Sequence, residues 1–392
     1  MHRFESKHPM KKTCTSIVLG PYFCSAFVAM LIIACIIGGA AMALADPNIE
    51  HNSASSFDFA ILPQVSQDDV KASLSKISGA NACGECHASE FAAWKQSTHF
   101  ATWSTMHRNA KAKEIAKKMG YTKGIKRNDL CLTCHYTSRW KDEAAKPFAG
   151  VSCESCHGPA QDWIDVHKDY GGKEFNIDNE TAEHKTTRLE ACDKAGMLRS
   201  AQVYRIAKNC YTCHTVPNES LVNVGGHPAG SAFELVAWSQ GEVRHNYFYS
   251  PDQKNRQATA DRRRLLFVVG HLTDLEFSLR ALAKAEKKGK YLSAMMRRVN
   301  NVLKKLDKIQ SAHSISQVAT ALTAVPRREA GDKPQHAGKL KISLSSLTSL
   351  IDVADAVSQA TKAFANQHDG SDLAAIDSLL PIVADYRGVA QN

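Results

Sequence analysis

Pairs of cysteines followed directly by histidine occur four times in this chain of 392 residues. In the pattern Cys-x-x-Cys-His, two thiols three residues apart add to the two vinyl groups of one haem, and the imidazole that follows becomes the first axial ligand of the iron. The four motifs, numbered in chain order, comprise Cys83, Cys86 and His87; Cys131, Cys134 and His135; Cys153, Cys156 and His157; and Cys210, Cys213 and His214. We therefore expect four covalently bound c-type haems.

Other uses of paired cysteines explain this pattern less well. Zinc sites also use Cys-x-x-Cys pairs, but zinc has no need for a histidine directly after every second cysteine. A redox-active dithiol favours one such motif in a βαβ unit, not four in a helical context. A disulfide framework lacks partners, since the remaining cysteines are three in the apolar N-terminus (Cys14, Cys24 and Cys35) and Cys192, to which we assign no role.

The N-terminus has the features of an export signal. Residues 1–16 carry four basic residues and one acidic residue, residues 17–44 carry no charge, and Ala43-Leu44-Ala45 is a small-x-small cleavage site. We expect residues 1–45 to be a cleaved signal peptide. The alternative is a retained membrane anchor formed by residues 17–44, and a lipoprotein cleavage at Cys35 is a weaker one. Each predicts a periplasmic protein.

The formal charge is misleading without the cofactors. It is +10 for the full chain, and removal of residues 1–45, with four basic residues and one acidic residue, leaves +7. Four haems bring eight propionates, about −8 if all are ionised, so the mature protein is expected to lie near neutrality. The basic composition therefore gives no support to nucleic-acid binding.

The sequence divides into four regions. We expect a linker over residues 46–75, a tetrahaem cytochrome c domain over 76–250 and a helical domain over 251–392, after the leader of residues 1–45. Within the haem region, helices are predicted over 88–99, 112–119 and 188–210, the last one broken at Gly196. The predicted class is mainly α, a multihaem core with little regular sheet followed by a helical bundle or hairpin.

Apolar residues in the C-terminal region recur at intervals of three and four, as in packed amphipathic helices. The runs extend over residues 265–282, 292–309, 344–354 and 373–383, and residues 326–339, with two prolines and two glycines, form a predicted loop. The basic run 284–290 is read as a solvated face. A region without motif cysteines is expected to act as a scaffold or docking element.

The second axial ligand decides what each haem does. A second histidine makes the iron coordinatively saturated and suited to electron transfer, whereas an open position permits substrate binding. Candidate histidines within the haem region are His99, His107, His167, His184, His227 and His245.

Two segments resemble the tetrahaem cytochrome c family of ammonia-oxidising bacteria, the cytochrome c-554 type. The first is Trp94-x-x-Ser97-x-His99, and the second is Gly-Val-Ser-Cys-Glu-Ser-Cys-His-Gly-Pro at 150–159, followed ten residues after the haem histidine by His167. The resemblance covers residues 76–250 and not the C-terminal helices.

The resemblance implies axial partners for three haems. It assigns His99 to the third haem and His167 to the first. A histidine after the fourth motif is implied for the fourth haem, and His245 is the best positional match, with His227 as the alternative.

The second haem is five-coordinate in the resembling family. We expect the second haem to be five-coordinate here as well, and the alternative is a second axial ligand from one of the two remaining histidines, His107 and His227. His227 is the stronger rival, since it lies in a Gly-Gly-His-Pro turn that is absent from the family's founding members and that gives the backbone freedom to bring an imidazole near a ring.

Two functions remain open. The first is an electron carrier between redox proteins, such as a periplasmic oxidoreductase or another cytochrome, or a quinone-pool membrane protein. The alternative is an enzyme acting on nitric oxide or hydroxylamine at an open haem. The carrier is favoured because no carboxylate–histidine constellation for proton transfer stands out, and no catalytic residue is assigned.

Four motifs predict four haem irons per chain in a pyridine haemochrome assay of the denatured protein. Thioether bonds should retain the haem through extraction with acid acetone. Four zinc ions per chain, or haem removed by the acetone, would refute the assignment of these cysteines.

Overall fold

The computed structural model describes residues 66–248, 250, 252–329 and 334–391, and these residues are mainly helical. The expectations for the leader and for most of the linker fall on residues 1–65, outside the described range. The haem region contains α1 (Gln67–Ser75), α2 (Ala80–Gly84), α3 (Ala88–Trp94), α4 (Thr98–Thr105), α5 (Ala110–Lys118), α6 (Asp129–His135), α7 (Cys153–His157), α8 (Ala182–Lys194), α9 (Val203–His214), α10 (Glu219–Asn223) and α11 (Leu235–Ser239). The C-terminal region contains α12 (Ala260–Ala283), α13 (Lys290–Ala312), α14 (Ser316–Ala324) and α15 (Leu350–Gln367). The predicted mainly α class is confirmed.

The one sheet among the described residues is a hairpin between the second and third motifs. Strands β1 (Thr137–Lys141) and β2 (Ala144–Ala149) pair antiparallel. Asp142 and Glu143 form the two-residue turn with φ of 49° and 56°, as the right-handed twist of a tight hairpin requires. At its base, Thr137 Oγ1 accepts a hydrogen bond from the Ser152 amide at 2.9 Å, which ties the end of α6 to the start of α7.

The helix predicted over 88–99 is two helices in the structure, α3 and α4. The break occurs because the Ser97 hydroxyl accepts a hydrogen bond from Phe100 N at 3.2 Å and caps a new helix. His99 therefore lies in the first turn of α4. The other predicted helices agree with α5 and with the pair α8 and α9, whose break includes Gly196.

Helix α12 is the centre of the C-terminal region. It is buried on all sides, since nearly every residue from Arg264 to Ala283 is inaccessible to solvent. It packs against α13 and α15, and it also contacts α9 and α11 of the haem region. Its polar residues, such as Asp274 and Glu276, are therefore buried together with its apolar ones.

The hydrophobic core does not end at residue 250. Tyr211 of α9 and Leu275 of α12 belong to the same buried cluster. Tyr204 of α9 also donates a hydrogen bond to Glu276 of α12 at 2.6 Å. The helix that carries the fourth motif is thus joined to the C-terminal helices by apolar and polar contacts.

Three local features differ from the sequence-based expectations. Residues 67–75, placed in the linker, form α1, which is stabilised by a capping box between Ser66 and Asp69. The apolar run 373–383 forms two short 3₁₀ turns, because Pro381 interrupts helical hydrogen bonding. Part of the expected loop 326–339 is held by a bridge between Arg327 and Leu340.

Within the described ranges, the structure contains no helix of the length and hydrophobicity needed to cross a bilayer.

Replacement of Leu275 by alanine should destabilise the protein strongly, because this side chain is fully buried at the centre of α12. We expect the free energy of unfolding to fall by about 2–5 kcal/mol, measured by denaturant titration with circular dichroism. Val389→Ala is the control, since Val389 is 79% exposed and should change stability by no more than about 0.5 kcal/mol. Equal effects of the two variants would contradict the assignment of α12 as the core helix.

Candidate haem-binding site

Each Cys-x-x-Cys-His motif lies on a turn of helix. The second and fourth motifs end α6 and α9, the third forms α7, and the first begins within α2 and ends at His87, directly before α3. A helical turn brings the two cysteines, three residues apart, to one face. All eight motif cysteines are free thiols in the structure, and Cys192 is free and fully buried.

The fold brings the four motifs into one contiguous group. The thiols of Cys83 and Cys153 interact, which lowers the pKa of Cys83 and raises that of Cys153, and α2 contacts α7, so the first motif lies beside the third. The thiols of Cys134 and Cys213 interact in the same way, so the second motif lies beside the fourth. Asn209 of α9 donates to the Ser155 carbonyl at 2.8 Å and so connects the fourth motif with the third. The spatial order is therefore first, third, fourth, second.

A second imidazole faces each motif histidine at a nearly constant distance. The ring centres are separated by 6.4 Å for His87 and His167, 6.2 Å for His135 and His227, 6.1 Å for His157 and His245, and 6.3 Å for His99 and His214. An imidazole nitrogen binds iron at about 2 Å and lies roughly 1 Å from its ring centre, so two imidazoles on opposite sides of one iron have centres about 6 Å apart. Each pair thus has the spacing of a bis-histidine haem.

The partner of the first motif is the one that the family resemblance implied. His167 lies in a 3₁₀ turn (Val166–Lys168) opposite His87. Its carbonyl accepts a hydrogen bond from Arg188 Nη1 at 2.8 Å, and Arg188 is in turn ion-paired with Glu180. Arg188 thus holds the turn that carries His167 against α8.

The second motif, for which an open haem is expected, also has a facing imidazole. His227 faces His135, and the Gly-Gly-His-Pro turn makes this approach possible. Gly226 has φ of +78°, and a Cβ on Gly225 would lie 2.6 Å from the Leu221 carbonyl oxygen. The turn packs too closely on α10 for a larger residue at position 225.

The partners of the third and fourth motifs are exchanged relative to the implied assignment. His99 faces His214 of the fourth motif, and His245 faces His157 of the third. The backbone of His99 does lie beside the third motif, since its carbonyl accepts from Val151 N at 3.1 Å. Its ring leaves the helix in another direction and reaches the fourth motif. Proximity along the backbone therefore did not identify the facing ring.

Local hydrogen bonds orient the facing imidazoles. The Nδ1 groups of His167, His227 and His245 donate to the carbonyls of Ile164, Pro228 and Val243 at 2.6, 2.9 and 2.7 Å. Because a carbonyl only accepts, Nδ1 carries the proton and Nε2 retains the lone pair that a metal requires. In the third motif, His157 Nδ1 bonds the Leu198 carbonyl at 2.8 Å in the same way.

Burial keeps these rings neutral. The pKa of His135 and His214 is lowered to about 4, mainly by loss of solvent and in part by the facing imidazole. Desolvation also lowers the pKa of His99 and His157. Neutral imidazole is the form that binds iron.

Buried donors near the imidazole pairs are suited to the carboxylates of a haem. Four such groups lack a hydrogen-bond partner among the described residues: Trp163 Nε1, Trp238 Nε1, Arg244 Nε and Arg298 Nη2. Trp163 contacts His167, Trp238 contacts His214, and Arg244 precedes His245. Buried donors are normally satisfied, so the residues present fit a group that supplies acceptors. No motif in the sequence marked these four residues.

The remaining histidines have other surroundings. His184 bonds Glu180, His271 bonds the Phe267 carbonyl within α12, and His368 bonds Asp372. His107, the weaker candidate for the second haem, lies in a 3₁₀ turn (Met106–Arg108). The rings that face the motif histidines are thus those of His99, His167, His227 and His245.

Comparison with known proteins agrees with this geometry. A family model described as cytochrome c554 and c-prime matches residues 82–158. Cytochrome c-554 of Nitrosomonas europaea is 26% identical over 223 residues, which are 54% of this chain and 87% of that protein. No solved structure matches the chain. These matches support a c554-type cytochrome in the motif-bearing part of this chain.

Proposed function

We propose that this protein is a tetrahaem electron carrier in which all four irons have two histidine ligands. The observation that carries the proposal is the set of four imidazole pairs with centres 6.1–6.4 Å apart. When bound, bis-histidine haem supplies reversible one-electron chemistry at a saturated iron. The motif cysteines would attach the four groups, and the imidazoles of each pair would hold the metal between them.

The arrangement of the motifs suits passage of electrons through the protein. The contacts between motifs run in the order first, third, fourth, second, so the groups held by neighbouring motifs would be adjacent. The first and second motifs are the ends of this sequence. We propose that redox partners exchange electrons near these two ends.

The facing imidazole at the second motif favours a carrier over an enzyme. Reaction of nitric oxide or hydroxylamine at iron requires an open axial position, and the second motif was the candidate for one. His227 lies where such a substrate would bind. We therefore assign no catalytic residue.

The cellular setting is part of the proposal. The charge pattern of residues 1–45 supports export to the periplasm, with a retained anchor as the alternative. The partners would be other cytochromes or a periplasmic oxidoreductase, or a quinone-pool protein of the membrane.

Electron paramagnetic resonance of the oxidised holoprotein should show four low-spin haems and no high-spin signal. Addition of cyanide or nitric oxide should leave the optical spectra of all four unchanged, because each iron is already saturated. One high-spin haem that binds either ligand would contradict four bis-histidine sites and favour the enzymatic alternative.

Removal of the facing imidazole at the second motif should open one iron. We expect His227→Ala to produce one high-spin, cyanide-binding haem, with three haems unaltered. His271→Ala is the matched control, since this buried histidine bonds a carbonyl within α12 and faces no motif, and all haem spectra should remain unchanged. A spectrum of the His227→Ala protein identical to that of the parent would reject His227 as a ligand.

A further inference from the structure

The C-terminal helices reach the fourth motif through one buried ion pair. Asp274 of α12 accepts a hydrogen bond from Arg298 Nε of α13 at 2.5 Å. The side chains of Arg298 and Asp274 are only 11% and 12% exposed. Removal of one member of such a pair leaves the other as an uncompensated charge in the interior.

The Arg298 guanidinium also holds the main chain around His214. Nη1 donates to the His214 carbonyl at 3.1 Å and to the Ser231 carbonyl at 3.2 Å. Ser231 Oγ is in turn the hydrogen-bond partner of His214 Nδ1, at 3.1 Å. Arg298 therefore fixes both the backbone of His214 and the residue that orients its ring.

Glycine at position 230 permits this approach. Gly230 has φ of +75°, in the region that favours glycine, and a Cβ there would lie 2.7 Å from Arg298 Nη1. The remaining guanidinium group, Nη2, is buried and has no hydrogen-bond partner among the described residues. Arg298 Nη2 is thus available to donate a hydrogen bond to an acceptor group of the haem.

We propose that Arg298, held in place by Asp274, is a positioning residue for His214 that raises the reduction potential of the fourth haem. The inference rests on the proposed function. Reduction adds an electron to the iron, so a nearby buried cation favours the reduced state, and the interaction is strong where solvent is excluded. The C-terminal helices would then set the potential of one site in the relay as well as stabilise the fold.

Potentiometric titration of the full-length holoprotein, monitored by optical absorption, tests the proposal. Two variants are compared, one that removes the positive charge of the ion pair and one that removes the negative charge. Arg298→Gln should lower the potential of one haem, and Asp274→Asn should raise it. The expected change is about tenfold in the ratio of reduced to oxidised haem at a fixed applied potential, which is about 59 mV for a one-electron couple. The other three haems should be unchanged. Loosening of the structure alone would shift both variants in the same direction.

Arg264→Gln is the matched control. Arg264 of α12 is as buried as Arg298, but its partners Asp261 and Asp377 are half exposed and it lies about 15 Å along the helix from Asp274. No haem potential should change in this variant. Unshifted potentials in both Arg298→Gln and Asp274→Asn, or shifts in the same direction, would overturn the proposal.

The conservative variant Arg298→Lys tests the proposal if the Arg298→Gln protein does not fold. Arg298→Lys keeps the charge but loses the forked contact with two carbonyls. The potential should be retained while the low-spin resonance of that haem changes, and an unchanged resonance would count against positioning. Absence of four low-spin haems in the parent protein would refute the proposed function, whereas four such haems with unshifted potentials would refute only this inference.

Discussion

Each motif depends on the placement of a second imidazole whose ring centre lies about 6 Å from that of the motif histidine. The two members of a pair are distant in the chain, from 80 residues apart (His87 and His167) to 115 residues apart (His99 and His214). Because the four chain segments closed by these pairs overlap one another, no site is formed by an independent piece of sequence. The haem region is therefore expected to form as one unit, in which loss of one pair weakens the supports of the others.

The motif histidines and their partners are held by different means. The motif histidines follow helical turns, so the same backbone geometry positions the thiols and the first imidazole. Three of the partners lie outside α-helices, His167 in a 3₁₀ turn and His227 and His245 in irregular segments, and each ring is oriented by a hydrogen bond to a carbonyl within three residues. Local backbone sets the direction of these rings, while tertiary contacts set their position.

The C-terminal helices are part of the structure that supports the fourth motif. Helix α12 shares a core with α9, whose last residue is His214, and the Asp274–Arg298 pair continues this contact to the histidine itself. Helices α12 to α15 are therefore not a separate bundle, because they share one core with α9. This apolar core stabilises α9, and the buried guanidinium of Arg298 lies at the backbone of His214.

The sequence by itself determined the features that depend on short-range chemistry. Thiols three residues apart and an adjacent histidine define haem attachment, and apolar spacing of three and four defines α12 and α13, because both act within one or two helical turns. The capping serine at position 97 is a local signal as well, since its side chain begins α4 and so separates it from α3.

Only the tertiary structure decided which imidazoles face each other. The exchange of His99 and His245 between the third and fourth motifs, and the closure of the second motif by His227, depend on the direction in which each side chain leaves a backbone that is already packed. The same holds for Arg298, whose role follows from contacts between α13 and the end of α9. Local sequence rules carry no information about such directions, since these arise from how whole helices pack.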